Sequence, residues 1–113
     1  MINIKIGSHL IGDNYPVFVI AEIGINHNGS FELAKKMVNE AKKAGADCIK
    51  FQTHIAEKEM INSKLKPGNL SKKSLWEIIK NCELTEHEEK EISDYCKNKK
   101  ILFMSTPFSM EAV

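Results

Sequence analysis

An apolar run at residues 17–23, a stripe of helical period at 33–41 and a second apolar run opening at Asp47 follow one another closely. Strand, helix and strand in that order form a βαβ unit, which makes the two strands parallel and the crossover right-handed. Ser30 is a fitting N-cap for the helix, and Glu32 suits its first turn. Leu33, Ala34, Met37, Val38 and Ala41 lie on one face at the helical repeat. Lys42 and Lys43 complement the negative end of the helix dipole, and Gly45 is the expected stop near residue 44. A third strand opens at Ile101-Leu102-Phe103-Met104.

Before these units, Ile2-Asn3-Ile4-Lys5-Ile6 alternates as a strand, and Gly7-Ser8 turns it toward His9-Leu10-Ile11-Gly12, predicting a short hairpin. Asp13, Asn14 and Pro16 supply turn chemistry leading into the first main strand. Residues 52–70 form a long polar connection containing Pro67-Gly68-Asn69, a length that marks a functional loop or lid. Ser71 or Ser74 can cap a short helix that buries Leu75, Trp76, Ile78, Ile79 and Cys82. Thr85-Glu86-His87-Glu88 is a capping box opening another helix through Ile92, Tyr95 and Cys96. Ser109 reads as the N-cap of a helix that is cut off at Val113. The predicted architecture is therefore α/β: three βα units preceded by an N-terminal β-hairpin. A closed (β/α)8 barrel needs eight units and ~250 residues. The chain is accordingly either the first part of such a barrel or a small open sheet.

Strand side chains alternate between two faces, so parity sorts the polar residues at the strand ends. Glu22 shares a face with Phe18 and Ile20, Lys50 and Gln52 share one with Cys48, and Thr106 shares one with Leu102 and Met104. In parallel α/β proteins the carboxyl ends of the strands form the rim where ligands bind. Glu22, Lys50, Gln52 and Thr106 are thus the candidate site residues, and the chain reads as part of an enzyme. Ser105 faces the other way. His27 either touches substrate from its loop or makes a structural hydrogen bond within Asn26-His27-Asn28. His54 has no assigned role.

With 113 residues, a formal net charge of +1 and 27% charged residues, the chain lacks the basic excess of a nucleic-acid protein. Its basic side chains are all lysine, so an anion here is held by ammonium groups, backbone amides and hydroxyls. Cys48, Cys82 and Cys96 have no C-x-x-C spacing and fit free thiols in a reducing compartment. No run has transmembrane length and the amino terminus is not a signal peptide, so a cytoplasmic location is expected, with no membrane partner.

Ala21-Glu22-Ile23-Gly24-Ile25-Asn26-His27-Asn28-Gly29 strongly resembles the sialic acid synthases, the family of N-acetylneuraminate synthase. Gly45-Ala46-Asp47, Ile49-Lys50-Phe51-Gln52-Thr53-His54 and Phe103-Met104-Ser105-Thr106-Pro107-Phe108-Ser109 match as well, as do Glu59-Met60 and Pro67-Gly68-Asn69 in the long loop. The resemblance covers nearly the whole chain in order. It implies a TIM barrel followed by a C-terminal antifreeze-like domain, working as a domain-swapped homodimer. Residues 1–113 then correspond to the amino-terminal portion of the barrel, ahead of the remaining strands and that second domain. The implied reaction condenses phosphoenolpyruvate with an N-acetylated amino sugar, N-acetylmannosamine in the N-acetylneuraminate branch, with a divalent metal (manganese or magnesium).

By the same resemblance, Glu22 corresponds to the strand-one glutamate on the sugar side and carries the catalytic expectation. Lys50 and Thr106 correspond to residues beside phosphoenolpyruvate, and Gln52 can hydrogen-bond the substrate. The family's metal-binding histidines lie on later strands, so no metal role falls on His9, His27, His54 or His87, and this segment alone is expected to be inactive. Alternatives are a legionaminic or pseudaminic acid synthase, a catalytically inactive self-associating half barrel and, more distantly, a metal-dependent sugar isomerase.

Overall fold

The computed structural model describes residues 3–113. Ile2, the first residue of the predicted hairpin, lies outside the described residues. β1 (Ile4–Ile6) and β2 (His9–Ile11) pair antiparallel, with Ile4 opposite Ile11. β3 (Ile20–Gly24), β4 (Cys48–Thr53) and β5 (Leu102–Pro107) form a parallel sheet in the order β3-β4-β5. Between them lie α1 (Phe31–Lys43), α2 (Ala56–Glu59), α3 (Leu75–Cys82) and α4 (Glu86–Asn98).

The helix ends are where the sequence puts them. Ser30, Ser74 and Thr85 each accept a hydrogen bond from the backbone N–H three residues on, and the last two complete capping boxes with Glu77 and Glu88. Gly45 follows α1 at φ +87, a conformation that costs a side-chain-bearing residue dearly. Ser109 accepts from Ala112 N, as an N-cap does, within a turn that ends the chain.

The strands are shifted from their predicted bounds. Val17 and Val19 are exposed and unpaired in the sheet; Val19 is held instead by Asp47, whose carboxylate accepts from Val19 N at 2.8 Å. β4 and β5 extend through the polar residues beyond the apolar runs, so Gln52 pairs with Thr106 in register. α2 interrupts the long connection where no helix was expected. Of the residues predicted on the buried side of α3, Cys82 is buried, Trp76, Ile78 and Ile79 are half-buried, and Leu75 is 38% exposed.

One face of the sheet is covered. Ile23, Ile49 and Phe51 pack there with Ala34, Val38 and Ala41 of α1, and with Ile92 and Cys96 of α4. Each large aliphatic residue fully buried here stabilises the fold by about 1.5–3 kcal/mol. Tyr95 donates its hydroxyl to Asn39 at 2.8 Å and joins α4 to α1. The other face carries Ile20, Glu22, Lys50, Gln52, Met104 and Thr106. The hairpin turn lies against its amino-terminal end, where a Cβ on Gly7 would come 3.1 Å from Leu102. His9 reaches Asp47 at 3.2 Å and packs edge-on against Phe18. Asp47 O also accepts from Leu102 N, so one residue ties the hairpin, β3, β4 and β5 together at that end. Among the described residues no helix is long and apolar enough to cross a membrane.

Candidate active site

Glu22 and Lys50 are register partners on β3 and β4, and Lys50 Nζ donates to Glu22 Oε2 at 2.8 Å. Their side chains are 49% and 30% exposed. At that exposure an ion pair contributes only about 0–1 kcal/mol, so stability is a poor reason for placing charges on this face. Just beyond Glu22 the pairing slips by a bulge, and Gly24 takes φ +57. Bulges re-aim side chains near functional sites. A Cβ at Gly24 would sit 3.7 Å from both the Gln52 amide and Glu22 Oε1, so both side chains border the space over the glycine.

Thr106 stands opposite Gln52 one row further on, half-buried. All four candidate residues therefore occupy one face, toward the carboxyl ends of the strands. A carboxylate, an ammonium, an amide and a hydroxyl gathered there can hold a polyhydroxylated or anionic ligand and move a proton at its oxygens.

Other residues of the region take structural places. Ser105 points to the covered side, where its hydroxyl lies 2.6 Å from that of Thr53, which in turn donates to Glu89 at 2.7 Å. Burial holds the Glu89 carboxyl above the usual carboxylate range, opposed by the Thr53 hydrogen bond and by His54. His27 is 1% exposed, and its Nδ1 accepts from Gly29 N at 3.1 Å, a structural hydrogen bond whose partner lies one residue beyond the Asn26-His27-Asn28 stretch predicted for it. Burial lowers its pKa, with Glu88 opposing, so the ring is neutral and Nε2 bears the proton. The cleft of about 780 Å³ at residues 57–62 and Trp76 contains none of the four candidates.

His54, which as the residue following the second main strand could hold the long loop, and Glu59 of that loop stand behind Gln52. His54 Nε2 lies 3.0 Å from Gln52 Oε1, and His54 Nδ1 lies 2.7 Å from Glu59 Oε1. The ring stacks on Phe108 with centroids 4.2 Å apart. Only the folding back of α2 brings Glu59 to His54, and no periodicity announces a helix of four residues.

A family model described as the NeuB family matches residues 37–113. The chain is 35% identical over 108 residues to the N,N'-diacetyllegionaminic acid synthase of Legionella pneumophila, covering 90% of this chain and 30% of that protein. It is 38% identical over 102 residues to the pseudaminic acid synthase of Campylobacter jejuni serotype O:2, covering 86% of this chain and 30% of that protein. Among solved structures, the N-acetylneuraminic acid (sialic acid) synthetase of Leptospira borgpetersenii, in complex with citrate, superimposes with a TM-score of 0.77. There the identity is 34%, over 97% of this chain and 35% of that one. The chain thus spans about a third or less of the length of the relatives it matches.

Proposed function

Because this chain belongs to the NeuB family, we propose that it forms the amino-terminal part of a (β/α)8 barrel that makes a sugar acid from phosphoenolpyruvate. The acceptor is N-acetylmannosamine or a related N-acetylated amino sugar. Relatives named for legionaminic and pseudaminic acid are about as similar as the sialic acid synthetase, so the acceptor class is proposed and not one sugar. In the reaction the enol carbon of phosphoenolpyruvate attacks the aldehyde carbon of the open-chain sugar, and the aldehyde oxygen takes a proton. Water then adds to the oxocarbenium-like carbon, and phosphate leaves as its bond to that carbon breaks.

The observation that carries this reading is the Glu22–Lys50 pair, exposed on the uncovered face with Gln52 and Thr106 in the next row. Lys50 offsets charge on the phosphate or carboxylate of phosphoenolpyruvate. Thr106 donates a hydroxyl beside it. Glu22, released from Lys50 when the anion binds, accepts from sugar hydroxyls or handles the proton of the aldehyde oxygen. A divalent metal would polarise the aldehyde. Among the described residues no three His, Cys, Asp or Glu side chains gather to hold one, so no step is drawn through it. The whole enzyme is proposed to be a cytoplasmic homodimer, with its metal ligands on strands beyond those described. The buried free thiols of Cys48, Cys82 and Cys96 suit a reducing compartment.

The test is complementation. The chain is fused to the part of the Leptospira borgpetersenii synthetase that it does not match, and phosphate release is followed with phosphoenolpyruvate and each N-acetylated amino sugar. Release that requires both substrates and both segments is expected. A folded fusion that is silent with every acceptor overturns the reading, and turnover by the 113 residues alone overturns the need for later strands.

A second reading, self-association of the chain by itself, is favoured by the exposure of Ile20 and Met104 on the uncovered face, between two strand edges unpaired among the described residues.

A further inference from the structure

We propose that Glu59 and His54 are positioning residues that turn the Gln52 amide so that its NH2 group faces the space between Glu22 and Gly24. Residue 52 is thereby a hydrogen-bond donor to a substrate oxygen. This inference rests on the reading of that face as the substrate site.

The orientation rests on which amide atom meets the ring. His54 and Glu59 side chains are each 4% exposed, and both ring nitrogens are met by protein atoms. Gln52 Oε1 lies 3.0 Å from His54 Nε2, which requires a hydrogen on that nitrogen. The other ring nitrogen meets Glu59 Oε1 at 2.7 Å, and with one hydrogen on Nε2 this contact takes a second, carried on Nδ1 or on Glu59. The second Glu59 oxygen accepts from Ile55 N at 3.3 Å, which keeps the carboxylate from swinging away. Phe108, stacked at 24° to the ring, fixes its plane.

With its oxygen committed to His54, the amide nitrogen is left on the side of Gly24, 3.7 Å from where a Cβ would stand, with Glu22 Oε1 equally close to that point. Turned the other way, the amide would present its oxygen to the space that Glu22 Oε1 also borders, placing two acceptors around it. Glu22 thus favours the same orientation that His54 imposes. Gln52 itself touches substrate in this scheme, whereas His54 and Glu59 act through it.

Two measurements test the proposal. Nitrogen NMR of the labelled 113-residue chain reads the ring directly: Nε2 of His54 bears hydrogen if the proposal holds and is bare if it fails. His54→Phe, which keeps the stack on Phe108, should move the Gln52 side-chain amide signals. In the complemented enzyme, His54→Phe and the donor-less Gln52→Glu should each raise the KM of one substrate about tenfold, the worth of one hydrogen bond. His54→Phe should add nothing in a Gln52→Ala background. Glu59→Gln should retain the native KM, because Ile55 N–H claims its oxygen and leaves its NH2 for Nδ1. Losses that multiply between positions 52 and 54, or native activity in Gln52→Glu, overturn the proposal. The native spectrum decides alone if His54→Phe does not fold. Hydrogen on Nε2 with no turnover in the complemented enzyme counts against the synthase reading, and a bare Nε2 counts against this one.

Discussion

Lys50 is paired with Glu22 at 2.8 Å, yet both side chains reach solvent, and a doubly charged phosphate offers the ammonium a stronger partner than one carboxylate. Lys50→Met keeps the length of the side chain and removes its charge. In the complemented enzyme it should lower kcat/KM for phosphoenolpyruvate by on the order of a hundredfold, while leaving the melting temperature of the chain nearly unchanged. A rate within a fewfold of native would remove Lys50 from the site. His27 gives a contrasting case, since its chemistry is structural. Burial holds its pKa below 6.5, so the unfolded chain binds the proton more readily than the folded one. The sign follows: its contribution is full above about pH 6.5 and is lost as pH falls through that value toward the lowered folded pKa. Urea unfolding at several pH values should show this loss, and His27→Asn, whose amide oxygen can still accept from Gly29 N, should reduce the slope.

At the scale of elements, the β3–α1 connection is pinned by the absence of a side chain. Gly29 takes φ +76, and a Cβ there would come 2.2 Å from Asn81 O at the end of α3. Gly29→Ala should therefore cost more than the roughly 1–2 kcal/mol of the left-handed backbone alone, read as a lowered urea midpoint. The helices were legible because their signals are local: Ser30, Ser74 and Thr85 each satisfy backbone donors within their own first turn. α2 was not, because its ends are held from a distance. Ile55 offers no cap, and Ala56 N is taken by Glu83 Oε1, 27 residues away. The candidate site divides in the same manner. Glu22, Lys50, Gln52 and Thr106 follow from strand parity, which the chain carries in its own alternation. The bulge at Gly24 and the contacts of His54 with Glu59 depend on partners that only folding supplies.

For the molecule as a whole, the consequence lies in the two sides of its sheet. Helices seal Ile49 and Phe51 on one side, whereas Ile20 and Met104 on the other are 44% and 37% exposed. β3 and β5 are both edge strands among the described residues, with backbone groups free to pair with another chain. The 113-residue chain in isolation should associate in a concentration-dependent way, measured by sedimentation velocity. Ile20→Lys with Met104→Lys should shift it toward monomer, as should addition of the strands proposed to complete a barrel. A strictly monomeric native chain would show that this face needs no cover.

Asp47 gives the arrangement a further meaning. It receives Val19 and Leu102 backbone amides and reaches His9 at the end of the sheet remote from Glu22. Strand alignment is thereby anchored at the closed end, and the side chains at the mouth are free to be exchanged without disturbing it. Substitutions among Glu22, Lys50, Gln52 and Thr106 then probe chemistry and not folding, because the strands are held in register from their other end.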